Sequence, residues 1–138
     1  MSEFSAKQFV KEFYESEALT NKEVMKEYLH PECELFWNSS KGFTKLDYEG
    51  LLTLTENLNQ SFNHIHGLIS HLMQDGQMVT ARYTYFANTI ENPEESTPLA
   101  HFITIWELKD QKLYKGYEIS QLADDNPVNM ETFYKSKD

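Results

Sequence analysis

Gln74-Asp75-Gly76-Gln77 separates two β-prone runs, His64 to Met73 and Met78 to Ile90. Asp-Gly between such runs is a strong hairpin signal, because both residues tolerate the positive φ that a tight turn needs. Downstream, Glu91 to Pro98 is polar and turn-rich, and a second pair, Leu99 to Leu108 and Leu113 to Leu122, flanks Lys109-Asp110-Gln111-Lys112. The second half therefore reads as four long strands. Upstream the period changes. Ser5-Ala6-Lys7-Gln8 has the form of a capping box, followed by Phe9, Val10, Phe13 and Tyr14 at helical spacing. Thr20-Asn21-Lys22-Glu23 offers another before Val24, Met25, Tyr28 and Leu29, and Pro31 should stop that helix near His30. A short strand, Glu34 to Trp37, and a loop, Asn38 to Gly42, come next. Asp47 can cap a third helix whose apolar stripe is Leu51, Leu54, Leu58 and Phe62.

The order is helix, helix, strand, helix, then four strands. A sheet covered by helices on one face must curl around them to bury its apolar side. The expected fold is α+β, with three N-terminal helices packed on a strongly curved antiparallel sheet and a cavity where the helices do not reach. No repeat or linker interrupts residues 1–138, so one domain is expected, its core about 5–123 and its tail 124–138 an exposed terminus. Within that tail Met130, Phe133 and Tyr134 can dock.

Composition narrows the partners. Twelve basic residues against 22 acidic ones give a formal net charge of −10, a field that repels phosphate backbones and anionic lipid, so neither nucleic acid nor membrane is expected. A single cysteine excludes an internal disulfide and suits a reducing cytoplasm. That residue, Cys33, lies between Glu32 and Glu34, which disfavour a thiolate, so its role is structural. The N-terminus has no apolar signal-like stretch, and no run reaches the length of a membrane span. The 14% aromatic content suits a large-residue core or a ring-lined cavity.

Three local patterns carry a family resemblance: Tyr28-Leu29-His30-Pro31-Glu32-Cys33-Glu34-Leu35; Asp75-Gly76-Gln77-Met78-Val79-Thr80-Ala81-Arg82-Tyr83; and Ile105-Trp106-Glu107-Leu108 to Lys112-Leu113, followed by Tyr117-Glu118-Ile119-Ser120. Their order and spacing resemble the SnoaL-like branch of the nuclear transport factor two-like superfamily, over about Ser5 to Ala123. The resemblance implies a conical domain, usually dimeric through its sheet, with a mostly apolar pocket. It implies no single function, since isomerases, cyclases, hydrolases and binders share the scaffold.

Two enzymes of that superfamily offer residue sets for comparison. Ketosteroid isomerases need a carboxylate base where this chain has Asn38, and a buried acid on a strand, Leu99 to Trp106, that holds no carboxylate; Tyr14 lies near their donor tyrosine, although the spacing favours Phe13 or Glu12 there. That chemistry is set aside. Limonene epoxide hydrolases are similar at Phe36-Trp37-Asn38, Arg82-Tyr83-Thr84 and Glu118, although Phe36 stands where they have a tyrosine and Thr84 replaces their acid. The resemblance implies Asn38, Glu118 and Arg82 as a polar catalytic set, with Trp37, Tyr14, Phe36, Thr84 and His101 as substrate wall. Arg82 and Glu118 forming a structural ion pair, or one facing solvent, is the alternative.

Strand alternation puts Arg82 with Thr80, Thr84 and Phe86, and Ala81 with Tyr83 and Tyr85. Both faces carry rings, and the family pattern favours Arg82 inward. His64 and His66 supply two ligands where a metal site needs three, so no metal is expected, nor a cofactor. His101 reads as a hydrogen-bonded core or interface histidine. Neither Ser39-Ser40 nor Ser120 belongs to a nucleophile triad. The expected function is binding or transforming a small, mostly apolar ligand in an internal pocket; the rival is a dimeric scaffold module whose pocket is filled by its own side chains.

Overall fold

The structure, a computed structural model, describes residues 4–124 and 131–133. Helices α1 (Ala6–Glu15) and α2 (Lys22–Tyr28) lead into β1 (Leu29–Ser39) and β2 (Gly42–Asp47). Helix α3 (Tyr48–Ser61) follows, then β3 (Phe62–Asp75), β4 (Met78–Thr89), β5 (Thr97–Lys109) and β6 (Lys112–Leu122). The architecture is the α+β arrangement expected, a curled open sheet with helices at the N-terminus.

The caps explain where the helices start. Ser5 accepts from the Gln8 N–H at 3.1 Å. Asp47 accepts from Gly50 at 2.8 Å. For α2 the cap is Asn21, not Thr20: its side-chain oxygen accepts from the Glu23 and Val24 N–H groups at 3.1 and 3.4 Å. Asn offers an acceptor on a short, stiff side chain and so competes well for this position. The helix ends at Tyr28, two residues before His30, because Leu29 already enters the extended chain ahead of Pro31.

Strand β2 was not expected from the sequence. The Asn38 to Gly42 segment is a hairpin rather than a loop, with Ser39 paired to Gly42, whose φ is +113°. Phe43-Thr44-Lys45-Leu46-Asp47 then lies at a sheet edge, exposed along most of its length, so it carries no apolar alternation to read. The strand order is β2-β1-β6-β5-β4-β3. Every pairing is antiparallel except β1 with β6, which is parallel. Register shifts within β1/β6, β3/β4, β4/β5 and β5/β6 mark the points where the sheet bends. The β5–β6 turn uses two non-glycine residues at positive φ, Asp110 (53°) and Gln111 (61°), which matches the twist of the flanking strands.

Helix α1 lies across β3 and β4, while α3 packs on β1, β2 and β3 and against α2. Helix α1 comes close to β3 at Gly67, where an added Cβ would stand 3.1 Å from the Tyr14 carbonyl oxygen. Concave positions of the central strands are Val79, Ala81, Tyr83 and Tyr85 on β4, Phe102, Thr104 and Trp106 on β5, and Gly116 and Glu118 on β6. The convex side of β5 and β6 exposes Ile103, Ile105, Tyr117 and Ile119. No described helix is long and apolar enough to cross a membrane.

Of the tail residues able to dock, Phe133 does so on the convex side; Met130 and Tyr134 lie outside the described residues. The Phe133 ring stacks on His101 with centroids 3.7 Å apart, and the Arg82 guanidinium sits 4.0 Å from its centroid.

A buried acid in an apolar cavity

Between the helices and the concave sheet remains a cavity of about 500 Å³. Leucines of α3 and rings from α1 and the sheet form its wall, and among the described residues its only charged lining side chains are Glu118 and Lys41. Glu118 stands well inside, 8% exposed, on the strand next to Trp37 and Thr104. Lys41 is on the β1–β2 hairpin tip, at the rim.

Two hydroxyls converge on one oxygen of Glu118. Oε1 accepts from Tyr83 Oη at 3.0 Å and from Thr104 Oγ1 at 2.8 Å. The two hydroxyl oxygens are themselves 2.8 Å apart. Each hydroxyl has one proton, so Oε1 serves as the acceptor of this triangle. Oε2 makes no hydrogen bond among the described residues. A proton on the carboxyl group therefore belongs on Oε2, free to meet a cavity occupant. Burial pushes the Glu118 pKa up to about 7, against the two hydroxyls that pull it down. The side chain is thus poised between acid and carboxylate near neutrality.

Rings hold this group in place. Tyr14 packs on Tyr83 with centroids 4.0 Å apart and accepts at 2.8 Å from the indole N–H of Trp106. Burial, and then the nearby Glu118 charge, raise the Tyr14 and Tyr83 phenols, so both stay protonated and act as neutral donors. Trp37 lines the cavity and donates its indole N–H to Ser120 at 2.8 Å.

The structure brings Glu118, Tyr14 and Trp37 to the cavity and leaves the other sequence candidates outside it. Arg82 faces the convex side, contrary to expectation: it donates to Ser70 Oγ at 3.1 Å and to the Thr132 carbonyl and hydroxyl, and holds Phe133. It forms no pair with Glu118, because strand alternation puts Tyr83 inward and its neighbour outward. Thr84 is fully buried but outside the cavity, 2.7 Å from His101 Nδ1. His101, its pKa lowered by burial and by Arg82, belongs to that convex cluster. Phe36 stacks on Tyr117 at 5.4 Å, also on the convex side, and Asn38 is exposed opposite Phe43. Both follow from the parity of β1, on which Leu35 and Trp37 point inward. His64 and His66 stack at 5.2 Å, and no group of three metal-ligating side chains forms among the described residues.

Sequence reasoning missed Tyr83 and Thr104. For Tyr83 a signal was present: Val79, Ala81, Tyr83, Tyr85 and Ala87 make one face without a formal charge, against Thr80, Arg82, Thr84, Phe86 and Asn88. That contrast alone assigns the inner face. Thr104 had no such signal, since its outward neighbours Ile103 and Ile105 are the more apolar residues.

No family model and no curated protein matches the chain. Solved structures do. A proposed polyketide cyclase from Streptomyces antibioticus superposes with a TM-score of 0.66 at 16% identity, over 85% of this chain and 92% of that one. Another, from Acidithiobacillus ferrooxidans, gives 0.62 at 21% identity, over 87% and 91%. A hypothetical protein with a ketosteroid isomerase-like fold from Catenulispora acidiphila, in complex with trimethylamine, gives 0.62 at 11% identity, over 80% and 83%. The fold is therefore that of the SnoaL-like and ketosteroid isomerase-like proteins.

Proposed function

We propose that this chain, on a fold it shares with proposed polyketide cyclases, binds a small and mostly apolar molecule in its cavity and holds one carbonyl or hydroxyl oxygen of it against Glu118. The observation that carries the reading is the free Oε2 of a buried acid whose other oxygen is already saturated by Tyr83 and Thr104. A neutral carboxyl group donates a hydrogen bond that a carboxylate cannot. Made in an apolar enclosure, that bond polarises a carbonyl and favours attack on its carbon, the class of step a cyclase performs. Among the described residues the lining has no second carboxylate and no histidine, so the arrangement supports binding and polarisation over a two-residue proton shuttle. The space left open supports this reading over a module whose interior is plugged.

The naphthyl ketone prodan, whose emission responds to hydrogen bonding at its carbonyl, tests it. Prodan is expected to bind the native protein below pH 7 and to weaken about fivefold above it, as Glu118 loses the donor proton. Glu118→Gln keeps an N–H donor at that place and should bind equally well from pH 5 to 9. Glu118→Ala should bind weakly throughout. Flat binding by the native protein, or full binding by Glu118→Ala, refutes the assignment.

We also propose that two copies pair through the convex sheet face. Ile119 is 68% exposed there and Ile103 48%, on central strands rather than at an edge. Beside them Lys45 and Lys115 both pair with Glu34, which offsets part of the acidic charge on this face. Light scattering should give twice the 16.2 kDa chain mass, and Ile119→Asp should halve it. A native particle of one chain mass across micromolar concentrations rejects the dimer.

A further inference from the structure

Lys41 sets a second requirement on the ligand. Among the described residues it is the only cationic one lining the cavity. Lys11, Lys22, Lys26, Lys45 and Lys115 each hold an acidic side chain. The Lys41 ammonium has no ion pair or hydrogen bond among the described residues, although the chain carries 22 acidic residues to choose from. Its backbone is fixed: the Lys41 N–H donates to Ser39 Oγ at 3.1 Å, and Gly42 closes the hairpin. Glu118 pairs with Trp37, and Lys41 lies four residues further along the chain, past the end of β1. With a strand rise of about 3.3 Å per residue, its backbone stands on the order of 10 Å outward of the acid. The wall between them is leucine and aromatic ring.

We infer that the cavity selects a bipolar ligand: an apolar skeleton with a neutral oxygen at its inner end and an anionic group, a carboxylate or its equivalent, at its outer end on Lys41. The inference rests on the proposed function and adds the second end. The excess of acid elsewhere disfavours anions on the rest of the surface, so one unpaired lysine at an apolar rim discriminates between an acid and its neutral counterpart. The outer end keeps contact with water, which suits a charge. The inner end does not.

Two dyes with the same skeleton separate the contributions: anilinonaphthalene sulfonate, which is anionic, and phenylnaphthylamine, which lacks the sulfonate. Both are titrated by fluorescence into the native protein, Lys41→Gln and Lys41→Glu, with Ala100→Trp as a variant that fills the cavity wall. Lys41→Gln should weaken the sulfonate about fivefold, Lys41→Glu should weaken it further, and neither should move phenylnaphthylamine. Added salt should weaken only the sulfonate, and only with Lys41 present. Ala100→Trp should abolish both. If both dyes bind the native protein and the Lys41 variants leave them unchanged, or shift them equally, the bipolar inference falls while the cavity reading stands. Absence of saturable binding by either dye, or binding that survives Ala100→Trp, removes the cavity reading and the inference with it.

Discussion

Glu118→Gln should make the protein more stable at pH 8, by up to about 3 kcal/mol, and leave it unchanged at pH 4. The sign follows from proton counts. Burial raises the folded-state pKa to about 7, whereas the unfolded chain titrates at its ordinary carboxylate value. Below both values each state holds the proton and nothing is lost. Between them the folded chain keeps a proton the unfolded chain has released, so stability falls as pH rises toward 7. Above 7 the folded state carries a buried carboxylate and the loss is complete. Glutamine is neutral throughout, fills the same volume, and still accepts from Tyr83 and Thr104. Urea denaturation of both proteins at pH 4, 6 and 8 reads the difference. Parallel pH profiles would mean that Glu118 ionises in the folded state as easily as in water.

Trp106→Ala should cost about 3–5 kcal/mol, the range for removing a buried large ring. The indole is 3% exposed, meets Phe13 edge-on with centroids 6.4 Å apart, and donates to Tyr14. Its neighbour Gly116 has no side chain for a specific reason: a Cβ there would stand 2.7 Å from the indole ring and 2.7 Å from Leu35 Cδ1. Gly116→Val in the native background should therefore destabilise by about 1–3 kcal/mol through overpacking. In the Trp106→Ala background the same valine enters the space the ring has left and should recover part of the loss. Denaturation of the four proteins gives the coupling. Strict additivity would contradict the packing described.

Local chemistry made most of this fold legible. The Ser5 and Asp47 caps and the stop near Pro31 stand where short-range stereochemistry puts them, and the β3–β4 hairpin turns at Gly76-Gln77, with Asp75 already paired to Met78. What escaped was tertiary. Strand β2 is an exposed edge with no burial to imprint a pattern, and the parallel pairing of β1 with β6 joins residues far apart in sequence, such as Trp37 and Glu118. At the site the difference is sharper. Glu118, Tyr14 and Trp37 reach the cavity, while Asn38 and Arg82 fall on the other side of their strands. A one-residue change of parity moves a side chain from the interior to the opposite face, and the alternation of β4 was the better guide to it than the motif. The Tyr83–Thr104–Glu118 triangle spans three strands, and only their register assembles it.

Everything proposed for the site depends on an acid that holds its proton inside a largely apolar hollow. The carboxyl carbon resonance of Glu118, followed through a pH titration of glutamate-labelled protein and identified by its loss in Glu118→Gln, reports that proton directly. A midpoint near 7 is predicted. A midpoint at the ordinary glutamate value, about 4.3, would show a solvated carboxylate and leave the cavity without its donor.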